Sequence, residues 1–362
     1  MRTLLTYLLF TIGISTFAQS TERWTAFYNE ETELKGFKNA KGEVMIEPVS
    51  SPYTAAKEFD HIMVMSVRSG DSLSVYYLTK SGRKVGFDSL HIYDNGTDCE
   101  SEGFIRFRDQ KTDKVGMFDK NGDIAIPAEY NELSRVNNGL VWALKGAEKE
   151  YFHKKSETGC NHYSWKGGQE LLINTKNEVL AKNTKDHFGL DCFSMTVQNE
   201  PSTDSTKVSY KGTNGKYYTF TDFEKEFLTW LKTELIPDLS LAKMTEHTMD
   251  SILIWGYQDE PENESKTDFL TRNYNKIESQ LLLLKSDSTN YQVSHNSFPG
   301  YDIFVDSDRD KYYNTCGETR WQQYPEMTLL INHYIDGDLR QNHINFFKTD
   351  KGYRLIGATI RH

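Results

Sequence analysis

Basic residues are in the minority in this chain of 362 residues, with 42 Lys and Arg against 52 Asp and Glu and a formal net charge of −10. That balance excludes nucleic acid as a main partner, which would call for a basic face. Cysteine is scarce and scattered, with four residues in all. This excludes a disulfide-dense mini-scaffold and a zinc knuckle. Only 37% of residues are hydrophobic, but Phe (20), Tyr (21) and Trp (6) are plentiful. A chain poor in aliphatics and rich in aromatics predicts thin β-layers with much polar surface. Beyond the first 18 residues the longest aliphatic run is Leu281–Leu284, flanked by charge, so no transmembrane segment is expected in the mature chain.

The first residues read as an address. Arg2 supplies a positive charge, Leu4–Ile14 is largely apolar, and Thr16 and Ala18 are small residues at −3 and −1 of a cut before Gln19. This is the three-part pattern of a secretory signal peptide, residues 1–18, and the apolar run is too short to span a bilayer. No Cys lies near the cut, so a lipoprotein anchor is not expected. A periplasmic or secreted location follows.

Three phrases share a shape: Asn39-Ala-Lys-Gly42-Glu-Val-Met-Ile46, Thr79-Lys-Ser-Gly82-Arg-Lys-Val85 and Asp119-Lys-Asn-Gly122-Asp-Ile-Ala-Ile126. The glycines fall at intervals of 40, and a second glycine stands six places earlier at Gly36 and Gly116, where the middle copy has Tyr76. A glycine between two alternating runs predicts a hairpin turn with positive φ, so Gly42, Gly82 and Gly122 are structural turn residues. The alternating apolar residues must then pack on the neighbouring unit. Further β-like runs start near Gly103 and Gly139, preceded by Glu102 and Asn138.

Val115-Gly-Met-Phe-Asp-Lys-Asn-Gly-Asp-Ile-Ala-Ile-Pro-Ala-Glu-Tyr130, followed by Asn138-Gly-Leu-Val141, resembles the WG repeat family. Lys35-Gly-Phe-Lys-Asn-Ala-Lys-Gly-Glu-Val-Met-Ile46 is a looser match, and Lys35 and Val115 replace the namesake Trp. The likeness covers residues 33–145, with echoes at Thr175–Leu180 and Thr213–Tyr217. It implies a non-enzymatic binding or scaffolding role with no catalytic residues of its own. An open β-meander stack is expected over a closed propeller, because three clear copies are too few for a ring. The Phe17-Ala18-Gln19 ending resembles bacterial envelope leaders.

After Thr221 the period becomes helical. Thr221-Asp-Phe-Glu224 reads as a capping box, and Phe220, Phe223, Phe227, Trp230 or Leu231, and Leu235 form a stripe ended by Pro237. A second helix is expected from Met249 or earlier, with a strand at Ile252–Trp255 as the alternative. A third is expected along Leu270, Tyr274, Ile277, Leu281 and Leu284. Strands are expected at 301–305, 327–335, 339–348 and 353–360, with turn glycines at Gly337 and Gly352. The fold class is therefore mainly β with α+β: a β-repeat domain over 19–205, then an α+β domain with an antiparallel sheet over 206–362. The closing hairpin resembles that of the nuclear-transport-factor-2-like group.

Chemical motifs are few. Asp306-Ser-Asp308-Arg-Asp310 opens like a calcium loop but has Lys311 where glycine belongs, so a solvated acidic turn is expected. Ser240-Leu-Ala-Lys243 lacks the companions of a Ser/Lys catalytic pair. His153, Cys160 and His162 read as a polar loop, and Trp165, Trp255 and Trp321 as core aromatics in preference to a sugar platform. No catalytic residue, metal or cofactor is implied. Four cysteines allow three pairings. Cys160–Cys192 is expected, closing a loop within the irregular segment, with free buried thiols as the alternative. These readings converge on an exported binding protein of the bacterial envelope, its repeats facing a protein or glycan partner. The alternative is an enzyme or small-ligand protein with a pocket in the C-terminal domain.

Overall fold

The computed structural model describes residues 22–51, 54–70, 72–93, 96–152, 162–254, 262–286, 288–296, 306–335 and 337–361. The leader, Cys160, His153, Trp255 and the strand expected at 301–305 lie outside them. The described chain is mainly antiparallel β-structure, with a helical layer confined to the C-terminal part.

Five units of three strands follow one another where the sequence shows three clear repeats. The first comprises Trp24–Asn29, Leu34–Lys38 and Val44–Ser50; the second, Ile62–Ser69, Ser72–Thr79 and Lys84–Val85. Next come Ile105–Asp109, Lys114–Phe118 and Ile124–Tyr130, then Leu140–Tyr151, Tyr163–Asn174 and Val179–Lys182. The fifth holds Leu190–Gln198, Lys207–Lys211 and Tyr217–Asp222. In each, one turn joins the second strand to the third, and Gly42, Gly82, Gly122, Asn177 and Gly215 occupy it with φ of 83°, 86°, 79°, 63° and 80°. Both echoes are therefore turns of full units. In units one to four the middle strand lies between the other two, whereas in the fifth the last strand does. The expected division at 205/206 falls inside this fifth sheet.

Alternation along the strands explains the stacking. In Ile62–Ser69, Met63 and Met65 join a core with Phe37 and Phe59 of unit one, while Ile62 and Val64 join Ile105, Phe107 and Phe118 of unit three. Val115, Met117, Ile126 and Tyr130 turn the other way, onto Val141, Leu171 and Ile173. Leu140, Trp142 and Leu172 then meet Leu190, Tyr218 and Phe220. Period-two side chains thus give each inner sheet two buried faces, one per neighbour.

Both ends of the stack carry polar groups. Thr25 pairs with Lys38 in unit one, at the register positions where unit three pairs Ile105 with Phe118. The Lys38 ammonium sits 4.1 Å from the centre of the Phe27 ring, covering the apolar face with its stem. At the other end Thr196, Thr219 and Ser209 form a hydroxyl row, and the Ser202 backbone N–H donates to Ser209 Oγ at 3.0 Å.

The C-terminal part has its own core. Helices α1 (Phe223–Trp230), α2 (Leu241–Glu246) and α3 (Lys266–Leu283) carry Phe223, Phe227, Met244, Leu270, Ile277 and Leu281. These pack on Met327, Leu329, Ile344, Phe346 and Leu355 from a four-stranded meander, Tyr291–Asn296, Glu326–Ile335, Asp338–Thr349 and Gly352–Thr359. Three of those strands were expected from sequence; Tyr291–Asn296 was not. Gly337 and Gly352 hold positive φ of 87° and 85° between them. The cap of α1 is Asp222, one residue later than the expected Thr221, and its carboxylate accepts from the Lys225 N–H. The second helix ends before Met249, and Ser251–Ile254 is strand. Asp306–Tyr312 is a helix, α4, and not an acidic turn.

Candidate interaction surface

The array and the C-terminal domain meet along a polar seam. A turn after α4, Asn314-Thr-Cys-Gly317-Glu318, is built like the repeat turns. Asn314 Oδ1 accepts from the N–H groups of Cys316 and Glu318, as Asn39 accepts from Lys41 and Glu43, and Asn174 from Lys176 and Glu178. The terminal Glu returns to the Asn side chain in all three. This turn docks on unit one, where the Lys57 and Glu58 N–H groups donate to Thr315 O at 2.8 and 2.9 Å. Gly317 leaves space for Lys57, whose Nζ would lie 2.6 Å from an added Cβ.

Cys316 in that turn is bridged to Cys99, on the link between units two and three. Cys192 is a free, buried thiol that packs with Trp142 and Phe220 where units four and five meet, and Cys160, its expected partner, lies outside the described residues. The pair that does form joins residues brought together only by docking. Beside it, Asp98 is fully enclosed. Its carboxylate accepts from Arg106 Nη2 and Nε at 2.6 and 3.0 Å and from Arg135 Nε at 2.9 Å. Burial opposes its ionisation, but the two guanidiniums overcome this and hold the carboxyl far below the usual range. Arg135 also bonds Glu318 of the docking turn, and Arg23 pairs with Asp310 at 3.1 Å. The space beside the bridge, lined by Ile62, Met63, Asp98 and both cysteines, admits about one water molecule.

A second contact involves unit five. Lys348 bonds Glu226 at 2.7 Å and approaches Asp191 at 3.5 Å, above the Phe223 ring. Here the link before unit five presents Phe188, 76% exposed, with its ring 5.7 Å from that of Trp321. The His295 ring stacks on Trp321 at 6.4 Å, its Nδ1 hydrogen-bonded to Glu224 at 3.1 Å. Gly189, at φ 95°, leaves room for that imidazole, which would stand 2.6 Å from a Cβ.

Elsewhere, the paired strands Leu140–Tyr151 and Tyr163–Asn174 run past their sheet neighbours as a two-stranded ribbon. On one face of it Tyr151 contacts Tyr163, Tyr163 contacts Trp165, and Lys149 lies 4.2 Å from the Tyr163 ring centre. Trp165 and Trp321 therefore belong to separate aromatic groups. Ser240 caps α2 by accepting from the Lys243 N–H, which accounts for the Ser-x-x-Lys spacing. Among the described residues no three His, Cys, Asp or Glu side chains converge as a metal site, and no helix is long and apolar enough to cross a membrane. Phe188 escaped the sequence reading because no local pattern marks it. The docking turn was legible: Asn314-Thr-Cys-Gly-Glu repeats the Asn, Gly and Glu of Asn39-Ala-Lys-Gly-Glu.

Residues 116–147 match the WG containing repeat family, on the third unit and the start of the fourth. The match stops short of the closing hairpin, whose likeness to the nuclear-transport-factor-2-like group rests on sequence alone. No match was found among curated proteins.

Proposed function

We propose that this WG-repeat protein is an exported binding scaffold of the bacterial envelope, contacting a protein or glycan partner where the array meets the C-terminal domain. The observation that carries the reading is the exposed Phe188 ring of the array, which meets the Trp321 and His295 rings of the C-terminal domain at the seam. An aromatic of this size left in water marks a contact surface when it is held in place and not free to fold inward. In the C-terminal core Gln280 Oε1 accepts from Asn342 at 3.0 Å and lies 2.9 Å from His333 Nε2, which supports a packing role for these three side chains.

A photo-crosslinking residue at Phe188 should capture a partner in the producing cell, while one at exposed Lys41 should not. Equal yields at both positions would refute the assignment. Export predicts a mature N-terminus at Gln19, and a mature chain that retains Met1 would contradict it.

A further inference from the structure

We propose that the Cys99–Cys316 bridge is a redox latch, which a dithiol opens at Cys316 to uncouple the repeat stack from the C-terminal domain. The bridge joins positions 217 residues apart in the chain. No hydrophobic cluster among the described residues mixes units one to five with residues 223–361. Besides the Phe188–Trp321 contact, the seam is held by backbone hydrogen bonds, ion pairs and this one covalent bond. Two of the ion pairs involve exposed partners, Asp310 at 71% and Glu318 at 50%, and such pairs contribute little; the third, Lys348 to Asp191, is more buried but long at 3.5 Å. Polar seams of this kind permit relative motion of the parts they join.

The two cysteines differ in burial. Cys99 is 2% exposed, whereas Cys316 is half-buried in the surface turn beneath Lys57. A dithiol thiolate attacks Cys316 Sγ and the Cys99–Cys316 bond breaks. Cys99 leaves as a thiolate, which takes up a proton. The reagent's second thiol then attacks the mixed disulfide, releasing Cys316 as a thiol and leaving the reagent oxidised by two electrons. Cys192 stands aside, since burial pushes its thiol up to about 12.

The test uses the full oxidised chain in native buffer with dithiothreitol, alkylation with mass spectrometry, and solution scattering. Cys99 and Cys316 should become alkylated together while Cys192 stays protected. The radius of gyration should rise with far-UV circular dichroism unchanged, and reoxidation should reverse the change. Cys316→Ser should scatter like the reduced protein and ignore the reagent; if it does not fold, reduction of the unaltered chain still decides. Resistance of the bridge until denaturant is added would overturn the latch. So would reduction with unchanged scattering, or loss of β-structure on reduction, which would make the bridge a structural staple.

Discussion

Gly122 and Gly42 occupy equivalent turns with nearly the same φ, yet their surroundings differ. An added Cβ at Gly42 meets open space, whereas at Gly122 it lies 3.1 Å from Thr79 Cγ2 and Val85 Cγ1 of the preceding unit. Gly42→Ala should therefore cost about 1 kcal/mol for the left-handed backbone alone, and Gly122→Ala measurably more. Denaturant midpoints with unchanged slopes would show this, and equal losses would mean that the turns do not stack. Gly116 is tighter still, because a Cβ would stand 2.6 Å from Ile126 O and 2.7 Å from Phe107 Cζ. Phe107 lies directly across the strand pair from it, as Phe27 does from Gly36, so an aromatic ring fills the missing side chain. Gly116→Ala should cost about 1–3 kcal/mol through overpacking.

At the scale of elements, short polar clips tie one unit to the next, and two of them titrate in opposite directions. Glu100 accepts from the His61 and Ile62 N–H groups and bonds His61 Nδ1 at 2.6 Å, which raises the imidazole above its ordinary value. A raised histidine contributes stability in full below about pH 6.5, and loses it as pH rises through the folded value. Asp98 behaves in reverse. Its depressed carboxyl contributes above about pH 4 and loses that contribution as pH falls into strong acid. A stability profile should thus fall on both sides of mildly acidic pH. His61→Gln should flatten the alkaline side only, and Asp98→Asn the acid side only. Asp98→Asn should also cost about 3–5 kcal/mol, because it leaves Arg106 and Arg135 without their shared partner. A profile unchanged by either variant would remove these clips from the account.

For the molecule as a whole, the core of residues 223–355 is complete without the array. A fragment of residues 223–362 should unfold cooperatively, with Trp230 fluorescence as reporter. The repeat units depend on neighbours for both faces, so deleting residues 103–145 should unravel units two and four together. The oxidised chain should melt in one transition. After reduction it should melt in two, one of them coinciding with that of the 223–362 fragment. A single unshifted transition in both states would show that the seam does not couple the parts.

Sequence alone determined the hairpin turns, because glycine takes a positive φ without steric cost, and Gly42, Gly82, Gly122, Gly337 and Gly352 were legible on that ground. It also determined the alternation that makes each sheet two-faced and the stripe that makes α3, since both follow from local periods. The fifth unit's rearranged strand order, the Cys99–Cys316 bridge and the placing of Phe188 over Trp321 were decided only in the tertiary structure. Each depends on residues far apart in the chain meeting across a seam, and no local period records which distant surface a turn or a ring will touch.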